Sequence, residues 1–131
     1  MKKSELFYRE LSYKINGILF QVHNQLGRYR NEKQYADAAE HLFQKVCLGY
    51  EREKNLPSSF VNEKSWRNKV DFVIENKVVV ELKAKRLLER DDYYQVKRYL
   101  VSLKKKLGIL VNFRDKLLKP RRILNSEVSV D

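Results

Sequence analysis

Asp71, Glu81 and Lys83 are the residues of this chain whose types and spacing point most directly to chemistry. They lie in two short apolar runs, Lys69 to Ile74 and Val78 to Lys83, split by the turn-like Glu75-Asn76-Lys77. The runs read as the two strands of a hairpin. Side chains alternate faces along a strand, so Val70, Phe72 and Ile74 share one face of the first, and Val78, Val80 and Leu82 one face of the second. All six are apolar and predict a core face. Asp71, Val73, Val79, Glu81 and Lys83 occupy the opposite, non-core face.

With a three-residue loop, Ile74 pairs with Val78 and Asp71 falls opposite Glu81. Directly opposed residues have Cβ atoms about 4.5–5.5 Å apart, and two carboxylates that close repel unless something cationic joins them. Lys83, two residues on and on the same face, is one such group; a divalent metal is another. A one-residue slip would dismantle the arrangement. The chemistry that suits this group is phosphodiester hydrolysis. Carboxylates hold Mg²⁺, or Mn²⁺ as a substitute, and the metal activates water and stabilises charge on phosphorus. A neighbouring lysine orients that water or neutralises the transition state. The plainer alternative is a half-buried salt bridge between Lys83 and Asp71 or Glu81. Buried ion pairs stabilise poorly, however, and apolar residues would serve a purely structural hairpin as well.

The elements that must position this hairpin follow from hydrophobic period. Phe7, Leu11, Ile15, Ile18, Leu19, Val22 and Leu26 form one helical stripe that Gly27 ends. After a loop, Arg28 to Asn31, a second helix is expected from Glu32 to Leu48, with Tyr35, Ala39, Leu42, Phe43 and Val46 inward and Gly49 as its stop. Tyr50 to Asn55 suggests a first strand, and Leu56-Pro57-Ser58-Ser59 breaks it; the stretch on to Asn68 has no clear pattern. A third helix is expected over Asp91 to Lys106, with Val96, Tyr99, Leu100 and Leu103 on its apolar side and Gly108 ending it. Ile109-Leu110-Val111 reads as a buried strand and Arg121 to Leu124 as another. The order predicts an α/β fold in which helices flank a central sheet. A single domain over residues 1–125 is expected, with 126–131 a frayed tail.

The chain has 131 residues, of which 43% are hydrophobic, enough for one core. It carries 28 Lys and Arg against 17 Asp and Glu, a net charge of +11. Such an excess favours polyanionic partners, nucleic acid before an anionic membrane surface, although charge alone also suits a merely solubilising surface. The lone Cys47 excludes an internal disulfide and reads as a small core residue. With only two histidines beside it, a structural zinc site is not expected. No secretory h-region and no apolar run of about 18 residues is evident, so a cytoplasmic protein without a membrane span is the default expectation.

At the hairpin the sequence resembles a known group. Asp71, nine intervening residues, then Glu81-Leu82-Lys83 is similar to the D…ExK half-motif of PD-(D/E)XK nucleases. Val22 to Gly27, Glu32-Lys33-Gln34-Tyr35, Val78 to Ala84 and Gly108 to Phe113 resemble the GxxExxY branch of that superfamily, and the resemblance spans about Leu11 to Leu124. It implies a restriction-endonuclease-like core with a mixed central sheet, Asp71, Glu81 and Lys83 as catalytic residues, and Glu32, Asp71 and Glu81 as metal ligands. Gln95 and Tyr99, spaced i and i+4, resemble the Q-x-x-x-Y element that lines the substrate side of RecB-like nucleases. On their own, Glu32 also reads as a carboxylate complementing a helix N-terminus, and Gln95 and Tyr99 as an ordinary helix face. The sequence departs from the branch at Tyr29, which stands where the pattern has glycine.

Basic residues cluster at Arg28 and Arg30, at Lys85 and Arg86, at Lys97 and Arg98, at Lys104 to Lys106 and at Lys119, Arg121 and Arg122. Lys85, Arg86, Arg28 and Arg30 are the expected phosphate contacts, while Lys104 to Lys106 suit a helix C-terminus. No base-reading element stands out, so little sequence specificity is expected. The reading is of a metal-dependent nuclease, with DNA favoured over RNA; the alternative is a non-catalytic nucleic-acid-binding or assembly module on the same fold. A homodimer or a protein partner is compatible with so small a domain.

Overall fold

The computed structural model describes residues 3–63 and 68–128, with side chains from Tyr8 onward. The side chain of Phe7, placed in the first apolar stripe, the last part of the unpatterned stretch before Asn68 and the tip of the tail thus fall outside it. The elements are α1 (Lys3–Leu26), α2 (Glu32–Lys45), β1 (Tyr50–Asn55), β2 (Lys69–Ile74), β3 (Val78–Lys83), α3 (Arg90–Leu103), β4 (Leu107–Asn112) and β5 (Arg121–Leu124). One sheet in the order β1-β2-β3-β4-β5 runs antiparallel throughout, except that β3 and β4 are parallel. Parallel neighbours need a long crossover, which α3 supplies.

Helices cover both faces. Leu11, Ile15, Leu19 and Val22 of α1 and Tyr35, Ala39 and Phe43 of α2 pack on Phe72, Ile74, Val78, Val80 and Leu82. On the other side, Val96, Tyr99 and Leu100 of α3 pack on Val70, Val73, Val79, Leu110 and Ile123. The face expected to be non-core is therefore a second core. The expected grouping of Val70 with Phe72 and Ile74 also fails. Val70 sits under α3 while Phe72 and Ile74 face α1 and α2, so the alternation of faces is reset at Asp71, where the strand pairing is interrupted.

The helix ends obey local chemistry. Gly27 takes φ +75 and its N–H returns to His23 O at 2.8 Å, ending α1 as expected. Asn31 caps α2 in a reciprocal box: its Oδ1 accepts from Gln34 N, and Gln34 Oε1 accepts from Asn31 N. The helix then stops at Lys45, short of Leu48. Cys47 adopts φ +60, its N–H bonds Gln44 O, and Leu48 N–H bonds Phe43 O, a Schellman closure that turns Leu48 inward. Cys47 and Val46 are in consequence exposed rather than in the core, and Gly49 is not the stop. The same closure ends α3 before Lys106: Lys104 takes φ +56 and Lys105 N–H bonds Leu100 O. Gly108 lies within β4 instead of ending a helix. A Cβ there would come within 2.6 Å of Val96 Cγ1, so glycine is what lets α3 pack down on β4.

Candidate active site

The hairpin turn has the expected length. Glu75 and Asn76 both take positive φ, Lys77 N–H closes back on Ile74 O, and Ile74 pairs with Val78. The ladder continues through Val73–Val79 and Phe72–Val80. The next pair in that register is Asp71 opposite Glu81, and there the backbone ladder stops. On the other side of β2, pairing with β1 also skips Asp71, opposite Glu53, which takes φ +53.

The two carboxylates fill the break. Glu81 Oε1 accepts from Asp71 N at 2.8 Å, and Asp71 Oδ2 accepts from Leu82 N at 2.8 Å. Each side chain thus takes the role that a carbonyl of the opposite strand has in an ordinary ladder. The bonds hold both groups at the gap and leave Asp71 Oδ1 and Glu81 Oε2 outside them.

Burial makes this pair electrostatically tense. Glu81 is only 3% exposed. Loss of hydration, then the neighbouring Asp71 charge, push its carboxyl well above the usual carboxylate range, against the Asp71 amide and Lys83. Asp71 is also raised, chiefly by burial and further by Glu32, although the Leu82 amide and Lys83 oppose the shift. The phenol of Tyr99, a buried residue of α3, is pushed up to about 12 by burial and by Glu81 and Asp71, so it stays a hydrogen-bond donor. Lys83 is the local counter-charge: its Nζ lies 3.9 Å from Glu81 Oε2 and donates to Gln95 Oε1 at 2.9 Å.

The structure thus brings Asp71, Glu81, Lys83, Gln95 and Tyr99 to one place. Glu32 stands at the start of α2 and lines a cleft with Lys33, Ala36, Arg52, Glu53 and Asp71. It is felt by both carboxylates through charge, but among the described residues no three His, Cys, Asp or Glu side chains are gathered closely enough to hold a metal ion. The donor set that is gathered, two hard carboxylates of raised pKa, suits a hard cation that keeps several waters. Lys85 donates to Asp92 Oδ2 at 3.0 Å and lies 3.1 Å from Glu89, so its charge is matched at the start of α3; Arg86 is exposed. Arg28 and Arg30 sit in the loop before α2, where Arg28 Nε donates to Arg114 O and Arg30 Nε reaches Leu26 O.

Two supporting residues are not evident from type and spacing. Asn112, buried at the end of β4, accepts from Lys85 N and Arg114 N and donates to Lys85 O. With Phe113 N bonded to Lys83 O, it ties the strand end that carries Lys83 to the next turn. Its signal in sequence is a lone amide ending an apolar strand. Asp92 accepts from Glu89 N as well as Lys85, fixing the start of α3; burial works against its charge, but these partners hold its pKa below the usual value. His23 bonds Asp115 O at 2.9 Å, a structural contact.

Among known protein families, the model of the PD-(D/E)XK nuclease superfamily fits residues 9–123. No curated protein and no solved structure matches the chain.

Proposed function

The chain belongs to the PD-(D/E)XK nuclease superfamily, and from that premise we propose that it is a Mg²⁺-dependent nuclease cutting phosphodiester bonds, with DNA favoured over RNA and little sequence specificity. Nucleases of this superfamily typically use divalent metals. The observation that carries the reading is the break in the hairpin ladder, where Asp71 and Glu81 are held as a buried pair beside Lys83. A structural hairpin has no use for two carboxylates whose burial raises both their pKa values.

Asp71 and Glu81 would hold the metal, with Glu32 as an outer ligand on the cleft side. The metal, when bound, supplies a nucleophilic water and stabilises charge on the phosphoryl group. Lys83 orients the attacking water and offsets the negative charge that builds on phosphorus. Gln95 holds the Lys83 ammonium in place, and the Tyr99 hydroxyl donates toward the substrate side. Arg28, Arg30 and Arg86 meet phosphates, while Lys85 secures the loop to α3. We further read the chain as a member of the GxxExxY branch, on Glu32 and Tyr35.

One observation favours the alternative, a binding module on the same fold: the three acidic residues do not form a closed metal-holding group. Cleavage decides between them. Single- and double-stranded DNA and RNA are incubated with Mg²⁺ or Mn²⁺, with EDTA as control. The expected outcome is metal-dependent cutting that falls by about 10²–10⁴-fold in Lys83→Ala and is abolished in Asp71→Asn. Nucleic-acid binding without cutting on any substrate would sink the enzyme reading.

A further inference from the structure

Tyr29 is 75% exposed at the tip of the loop between α1 and α2, one of the largest uncovered aromatic surfaces on the protein. The loop that presents it is held at both ends. Tyr35 Oη donates to Gly27 O and accepts from Arg30 N, and the Asn31–Gln34 box fixes the entry to α2. Across the loop, Arg28 Nε donates to Arg114 O and Arg114 Nε donates to Arg28 O. This exchange places both guanidinium groups over the Tyr29 ring as cation–π contacts, 5.2 and 5.5 Å from its centroid, while the side chain as a whole stays 75% exposed. Each arginine bonds the opposite backbone through its Nε, and both residues are partly exposed.

The position matters as much as the composition. Glu32 follows three residues after Tyr29. Arg114 follows Asn112 and Phe113, which bind the backbone of Lys85 and Lys83. The ring and its two arginines therefore stand at the end of the sheet where Lys83 sits.

We infer that Tyr29, flanked by Arg28 and Arg114, is a stacking platform for an unpaired base of single-stranded nucleic acid entering the site. A rigid exposed ring offers a π-face to any base, and the two guanidinium groups neutralise the phosphates on either side of it. A base inside a duplex has no free face to offer, so the platform selects single strands, frayed ends or flaps. This inference rests on the nuclease reading for the identity of its ligand, but its test does not require cleavage.

The test is fluorescence anisotropy of labelled single-stranded DNA and RNA oligonucleotides in EDTA, beside an abasic strand of the same length and a duplex. Tyr29→Ala is expected to weaken binding of base-bearing strands by about five- to 100-fold and to leave the abasic strand and the duplex nearly unchanged. Tyr29→Trp is expected to restore the affinity. A loss confined to DNA or to RNA supports the platform and assigns its sugar. Equal weakening of intact and abasic strands, no weakening, or no single-strand binding by the unaltered protein would each overturn the proposal. A protein that binds in this manner yet cuts nothing would overturn the enzyme reading and leave the platform standing, and cutting of single strands that ignores Tyr29→Ala would do the reverse. The ring is largely exposed, so a nearly unchanged melting temperature verifies that the variant is folded.

Discussion

Glu81 is a residue that function keeps against stability. Its folded pKa is raised, so between the ordinary carboxylate value and that raised value the unfolded chain has already released a proton that the folded chain retains. Its contribution to stability is therefore fully present at low pH and is lost as pH rises through the window above about 4.5; Asp71 adds to the same slope. Asp92, held low by the Glu89 amide and Lys85, works in the opposite sense, losing its contribution as pH falls through the acid range. Glu81→Gln keeps the acceptor for Asp71 N and removes the charge. It is expected to stabilise the metal-free protein at pH 7 by about 0.5–2 kcal/mol, the usual size for a single stabilising substitution, and to flatten the fall in melting temperature as pH rises above the ordinary carboxylate range. A destabilised variant in a thermal melt would refute this account. Gln95 is predicted to act through Lys83 alone: Gln95→Ala should lower kcat by about 10–100-fold with little change in KM, whereas a change confined to KM would place Gln95 on the substrate.

At the scale of elements, the site depends on how the ends of β3 and β4 are tied. Removing the Asn112 amide strands two N–H groups and one carbonyl. Asn112→Ala is expected to cost about 2–4 kcal/mol, read as a lower urea midpoint at unchanged slope. Hairpin, turn and register were legible in the sequence because alternation and the three-residue turn leave one pairing that keeps the apolar residues inward. The double burial was also written there, in the unbroken Val78-Val79-Val80 run that marks a strand covered on both faces. Helix ends were less legible. Cys47 and Lys104 take left-handed geometry that costs an L-residue about 1–2 kcal/mol, and what offsets it is the packing of the residues that follow, which no local pattern reveals. Val70 was misassigned for a related reason: a break in strand pairing filled by two carboxylate–amide bonds cannot be read from a two-residue period.

For the molecule as a whole, the net charge of +11 is a statement about ligands and salt. Among the described residues no helix is long and apolar enough to cross a membrane. Exposed cations flank the candidate site at Arg30 and Arg86 and continue along α3 at Lys97 and Arg98. If four phosphates are neutralised on a single strand, the logarithm of the binding constant should fall against the logarithm of salt concentration with a slope of about −3. A titration in NaCl gives that slope, and a value near zero would rule out phosphate contacts as the source of affinity. Charge, family pattern and hairpin were all readable before the fold, whereas the meeting of Arg28 and Arg114 across 86 residues was not.

The break at Asp71 and Glu81 also gives the protein a pair of built-in gauges. The amide protons of Asp71 and Leu82 end on carboxylates, not on carbonyls, so their nuclear resonance frequencies must follow whichever charge those oxygens carry. A titration watched at two backbone signals would report protons leaving the pair, and any cation arriving in their stead, in a protein that has cut nothing.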